Sequence, residues 1–200
     1  AVTDIAFKDG QVSAIGTDAG AGADQVIKAD GLYVTPGLID LHTLIYWGGT
    51  SLGVDPDAYM RQSGCTTLVD AGSAGPGNFH GFRAHIVERS EARVLAYINA
   101  SFAGIFAFSP AVMVGESGDI RLLNPMEVVR VGNEHRDIIV GVKVRVGLVA
   151  SGGIGVAPLD IAIESADALG MPVMAHLDHP PPSRMEVLSR LRPGDVLTHC

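Results

Sequence analysis

The chain has 200 residues, 47% of them apolar and 18% charged, with a formal net charge of −8. That length holds one sizeable core, and an acidic balance with scattered Lys and Arg weighs against a nucleic acid or an anionic membrane surface as partner. Cys65 and Cys200 make no disulfide framework, no secretory signal or bilayer-length apolar run is visible, and the chain reads as a cytoplasmic protein acting on a small molecule, with homo-oligomerisation left open.

The first 35 residues form a unit of their own. Val2 to Phe7 and Gln11 to Ile15 alternate as strands around Asp9-Gly10, a hairpin turn pair. A third short strand is expected at Gly31 to Thr35, after a glycine-containing loop. Such a unit is too small to stand alone. Ala1 begins inside a strand-like run and Cys200 follows another, so both ends read as cut.

From Pro36 onward, apolar runs alternate with helix-like stretches. The runs are 38–42, 66–70, 93–98, 138–144, 171–176 and 195–199; between them lie helical patterns at 56–62, 79–90, 124–134, 158–169 and 183–191. Pro125 and Pro158 sit near first helical turns, Ser183 with Glu186 makes a capping box, and Gly170 falls where a left-handed cap belongs. Six strands separated by helices give an α/β protein with a parallel sheet, either doubly wound or a β/α barrel. Six barrel strands alone leave two open edges, so the isolated chain is expected to be aggregation-prone.

The polar residues point to the barrel. In a β/α barrel the site lies at the C-terminal ends of the strands, and His42, His176 and His199 end the first, fifth and sixth runs. In Gly141-Val-Lys-Val-Arg-Val146 the alternation puts Lys143 and Arg145 on one face, with the valines on the other. Lys143 should therefore point into the interior, where burial favours the neutral amine. That form reacts with carbon dioxide to give a metal-binding carbamate; the alternative is a buried lysine paired with Asp40 or Asp70. Neutral imidazoles with oxygen ligands suit zinc, with manganese or iron as substitutes. Two such ions about 3.5–4 Å apart activate a hydroxide and polarise a carbonyl.

Thr35-Pro-Gly-Leu-Ile-Asp-Leu-His-Thr43 resembles the opening of the amidohydrolase superfamily, Pro-Gly-x-Ile-Asp-x-His-x-His. Tyr46-Trp-Gly-Gly-Thr50, Gly72-Ser-Ala-Gly-Pro-Gly-Asn78, Gly141-Val-Lys-Val-Arg145, His176-Leu-Asp-His-Pro-Pro-Pro182 and Arg192-Pro-Gly-Asp-Val-Leu-Thr-His199 resemble its dihydroorotase-like deacetylase group. The resemblance implies part of a (β/α)8 barrel over 36–200, about six of eight strands, preceded by part of a β-sandwich over 1–35. It implies a two-metal site bridged by carboxylated lysine, and a hydrolase that cleaves an amide or ester of a small molecule with a metal-bound hydroxide. By position, His42 is the first-strand ligand, Lys143 the bridging carbamate, and His176 and His199 the ligands of the second metal.

Two departures qualify this. Leu44 stands where the family has its second first-strand histidine, and an isobutyl group ligates nothing. The family's general acid/base aspartate would lie beyond Cys200. A catalytically impaired scaffold is therefore the competing expectation.

Weaker signals remain. Arg145 either holds a substrate carboxylate or pairs with a structural acid. Tyr46 and Trp47 line a substrate pocket or merely pack. His179 supports the site or is exposed; His80, His85 and His135 read as surface residues. Gly72, Gly75 and Gly77 fit no nucleotide-binding spacing and read as a tight loop, and Ser151-Gly-Gly-Ile-Gly155 as a mobile one.

Overall fold

The structure, a computed structural model, describes residues 3–199. Val2, the expected start of the first strand, and Cys200 lie outside the described residues. The chain divides into two units, Ala1–Pro36 and Gly37–Cys200.

In the first unit, β1 (Asp4–Lys8) pairs antiparallel with β2 (Gln11–Gly16). Asp9 and Gly10 both have positive φ, 52° and 76°, which is the backbone a two-residue hairpin turn with right-twisted strands demands. The expected third strand does not form: Gly31 to Thr35 is irregular, and Tyr33 is 97% exposed. A strand exists only against a partner edge, and no described segment pairs with this one.

The second unit is a six-stranded parallel sheet of β3 (Leu38–Thr43), β4 (Cys65–Ala71), β5 (Arg93–Asn99), β6 (Ile139–Val146), β7 (Val173–Leu177) and β8 (Val196–Thr198). The helices are α1 (Pro56–Ser63), α2 (Phe79–His85), α3 (Pro125–Glu134), α4 (Leu148–Ser151), α5 (Ala157–Leu169) and α6 (Arg184–Leu188). Strand order follows chain order from β3 to β8. A doubly wound sheet reverses its order at a switch point; this one never does, so it is the curled sheet of a β/α barrel.

Local chemistry sets the helix ends. Asp55 and Asn124 cap α1 and α3 through their side chains, each with Pro in the first turn. Gly64 and Gly170 adopt the left-handed conformation that ends α1 and α5. The capping box of Ser183 and Glu186 is present on α6, which stops at Leu188. The helical pattern expected over 79–90 breaks after His85 into a short 3-10 turn, Val87–Arg89.

The core lies between the sheet and its helices. Val142, Val144 and Val146 alternate onto it from β6 and meet, with Leu68, Ile98 and Val173, the faces carrying Phe79, Phe82, Val128, Leu159 and Ala162. Burying an aliphatic or aromatic side chain of this size contributes about 1.5–3 kcal/mol each. Because the outer face is spent on this core, the alternate residues of β6 must face inward. Among the described residues no single helix is long and apolar enough to cross a membrane.

Candidate active site

The inward residues of β6, Lys143 and Arg145, are 1% and 8% exposed. Register places Arg145 beside His176 of β7, and His176 beside Thr198 of β8, one residue before His199. On the other side, β3 carries Asp40 and His42. These side chains converge on a cavity of about 450 Å³ at the C-terminal ends of the strands, lined by Asp40, His42, Leu44, Lys143, Arg145, His176 and His199, with Ile105 and Phe108 also on its wall. The ring centroids of His42 and His199 lie 4.7 Å apart, and those of His176 and His199 5.0 Å apart. His199 holds φ of 62°, a left-handed backbone that non-glycine residues adopt at a cost and that recurs at functional sites.

The electrostatics favour neutral nitrogen. Burial, then the neighbouring Arg145, pulls the Lys143 amine down to about 7 from 10.5. Burial also lowers His176 to about 3, with Arg145 adding to it, and His42 to about 4, where Lys143 adds and Asp40 opposes. His199 is lowered too, chiefly by burial. At neutral pH all three imidazoles carry a lone pair, the form that ligates metal.

Hydrogen bonding separates the site from its frame. Lys143 Nζ and His176 Nε2 are buried and without a hydrogen-bond partner. Neither Asp40 nor Asp70 pairs with Lys143. Asp40 accepts from the His42 amide at 3.0 Å and the Tyr59 hydroxyl at 2.6 Å. Asp70 accepts from the Ile45 amide at 2.9 Å and from the Ser73 amide and hydroxyl, both at 2.7 Å. Gly72 is required where it stands, since a Cβ there would lie 2.5 Å from Lys143 Cβ. An unpartnered buried amine beside an unpartnered imidazole is the donor set a metal-bound carbamate site needs, so these residues fit a divalent metal. Among the described residues no group of three or more His, Cys, Asp or Glu side chains is arranged to hold a metal ion by itself.

Other sequence expectations land elsewhere. Arg145 pairs with Glu116 at 3.3 Å while still lining the cavity. Tyr46 packs edge-on against Phe82, with its hydroxyl toward the Asn78 carbonyl, and Trp47 is 59% exposed; neither is among the cavity-lining residues. Leu44 does line it. His179 is exposed, as are His80 and His85. His135 corrects the surface reading: it is half-buried, its ring 5.1 Å from that of Phe79 at a tilt of 37°, and 3.0 Å from Arg83. Gly75 and Gly77 serve close packing, since a Cβ on either would strike Ser101 or Phe102. The glycine-rich stretch after Gly147 is a short helix and a 3-10 turn, not an irregular loop: the Asp178 carboxylate caps Val149 and Ala150, and Ser151 bonds back to Gly147.

Sequence reasoning missed Glu116. It lies in the long stretch between Asn99 and Pro125, and a long βα connection is itself a functional signal. An acid set just after the apolar run Val112-Met113-Val114 was the cue available.

No protein-family model matches the chain. It is 42% identical to a deacetylase of Brucella anthropi, covering 100% of this chain and 50% of that protein. A deacetylase of Agrobacterium fabrum is also 42% identical, over 96% of this chain and 47% of its own length. The chain thus spans about half the length of the curated relatives it matches. Among solved structures, a dihydroorotase superposes with TM-score 0.88 and 40% identity, covering 99% of this chain and 52% of its own. An adenine deaminase superposes with TM-score 0.81 and 28% identity, again over 99% and 52%. Sequence likeness along the whole of this chain and a shared barrel architecture agree: from end to end the chain is similar to about half of each of these proteins, as the amidohydrolase resemblance of its motifs implies.

Proposed function

We propose that this chain carries the metal-binding part of a hydrolase that cleaves an amide or ester carbonyl of a small molecule, of the deacylase type. One observation carries the reading: Lys143 Nζ and His176 Nε2 are buried, unpartnered, and converge on one cavity with His42 and His199. Unpaired buried polar groups cost about 1–3 kcal/mol each, and a fold keeps them where a ligand repays them.

In this reading His42, His176 and His199 hold divalent metal, zinc foremost with manganese or iron as substitutes, through lone pairs that burial keeps free of protons. Lys143 would supply a further ligand: its neutral amine can form an N–C bond with carbon dioxide and release a proton, and the oxygens of the resulting carbamate would help hold the metal. A metal held by these residues would supply Lewis-acid chemistry, polarising a carbonyl and lowering the pKa of water. Asp40 orients β3 through the His42 amide, and Tyr59 holds Asp40. Ile105, Phe108 and Leu44 exclude bulk water from the cavity wall. Arg145 presents guanidinium donors to a ligand oxyanion. The names of the deacetylase relatives support the deacylase assignment.

Leu44 favours a second reading, a scaffold without a metal centre, because it occupies the cavity wall where the family motif has histidine. Elemental mass spectrometry of the purified protein decides between them. About one to two equivalents of metal, lost in Lys143→Ala, support the hydrolase. No metal in the parent, with none gained in Leu44→His, supports the scaffold.

A further inference from the structure

The stretch between β5 and α3 reaches the cavity through Ile105 and Phe108 and is pinned at its far end. The Ser117 amide donates to the Ala150 carbonyl at 3.0 Å, and Gly115 lies so close to α4 that a Cβ there would sit 2.2 Å from the same oxygen. Glu116 sits between these two anchors, 3% exposed, and its Oε2 lies 3.3 Å from Arg145 Nη1. The Arg145 guanidinium also lies 5.2 Å from the Phe108 ring centre. Arg145 is thus held at one terminal nitrogen and across one face. Its Nε and Nη2 donate to no described residue, while the side chain lines the cavity next to His176.

We infer that Glu116 is a positioning residue: it fixes Arg145 from the loop side so that Nε and Nη2 form a two-donor fork for a carboxylate on the ligand. The inference rests on the hydrolase reading for the nature of the ligand, but not on turnover. Guanidinium edges match carboxylates bidentately only when the plane is held. A long side chain without Glu116 would swing toward water and lose that edge. Glu116 also opposes the ligand by like charge, from farther away than the guanidinium attracts it. Position and charge therefore pull in opposite directions, and substitutions separate them.

The test titrates the folded protein calorimetrically with N-acetylglycine and with N-acetylglycinamide, with and without added zinc. The wild type is expected to prefer the carboxylate by about tenfold, the discrimination one charge-assisted contact supports. Glu116→Gln keeps an oxygen for Arg145 Nη1 and removes the repulsion, so the preference holds or rises. Glu116→Ala loses the anchor, and the preference falls by about tenfold while amide affinity stays within about threefold. Glu116→Asp keeps the charge, shortens the reach, and is expected to fall with alanine; it stands in if the alanine variant fails to fold. No preference in the wild type, including no binding of either probe, overturns the inference. So does an equal loss in the Gln and Asp variants, or an unchanged preference in both Asp and Ala. If the protein binds no metal and hydrolyses nothing, the hydrolase reading fails while the preference ratio still reports on Glu116.

Discussion

Two buried polar groups on the same sheet behave in opposite ways. Asp70 on β4 is 1% exposed, and its carboxylate accepts from two backbone amides and a hydroxyl. Lys143 on β6 is equally buried, and its amine has no partner. Asp70 is tied to the segments that follow β3 and β4, so its bonds are part of the fold. Lys143 keeps a desolvated amine that no bond of the fold answers, and the proposed hydrolase reading gives it a ligand that would. The contrast teaches that burial alone does not mark a candidate residue; a buried group left unsatisfied is the one that asks for an explanation.

The sharpest way to break this contrast is Asp70→Ala. It strands the Ile45 and Ser73 amides in the interior, and urea unfolding should show a loss of about 3–5 kcal/mol. A loss below about 1 kcal/mol would mean that the network holds nothing together.

Lys143→Met should have the opposite sign. An apolar chain of similar length removes the desolvation of the amine, and metal-stripped protein should gain about 1–2 kcal/mol in the same assay. Bound metal should disappear at once. If the variant is destabilised before metal is added, the amine has an internal partner and the contrast collapses.

Asp195 extends the satisfied class to the opposite end of the barrel, where it accepts from the Val173 amide and pairs with Arg192. The bonds to Arg192 and to the Val173 and Arg192 amides hold its carboxyl below the ordinary 3.8, against the opposing effect of burial. A lowered acid stabilises the fold above its unfolded value, and that contribution is lost as pH falls through the lower folded value. Stability should therefore drop below pH 3.8, and Asp195→Asn should flatten that drop when denaturation is repeated across acidic pH. An unchanged slope would place the acid sensitivity elsewhere.

Trp47→Ala should do least. The ring is largely exposed and absent from the cavity wall, so stability should move by no more than about 0.5 kcal/mol and metal content not at all. A loss of metal would put Trp47 back in the pocket where sequence reasoning allowed it.

Much of this was legible in the chain itself. The alternation around Lys143 predicted its inward direction, because a parallel strand covered by helices leaves a charged residue only the interior. The prolines, Gly170 and the Ser183 capping box located helix ends, because those signals act over one turn. The three histidines could be assigned to strand ends for the same reason of short range.

What the sequence could not decide was pairing across distance. Periodicity left doubly wound sheet and barrel equal; the polar residues at the strand ends pointed to the barrel, and only the strand order shows the pairing that makes it one. It left Lys143 free or bound to Asp40 or Asp70; only the fold shows Tyr59 claiming Asp40, and Ile45 and Ser73 claiming Asp70. It left Arg145 divided between ligand and structural acid, and the acid proved to be Glu116, 29 residues away along the chain. Tyr46 turned into the core because Phe82 was there to receive it. Local propensity is written within a few residues, whereas the partner of a buried charge is chosen by whichever group the closed sheet brings within about 3 Å, and only the tertiary structure specifies that.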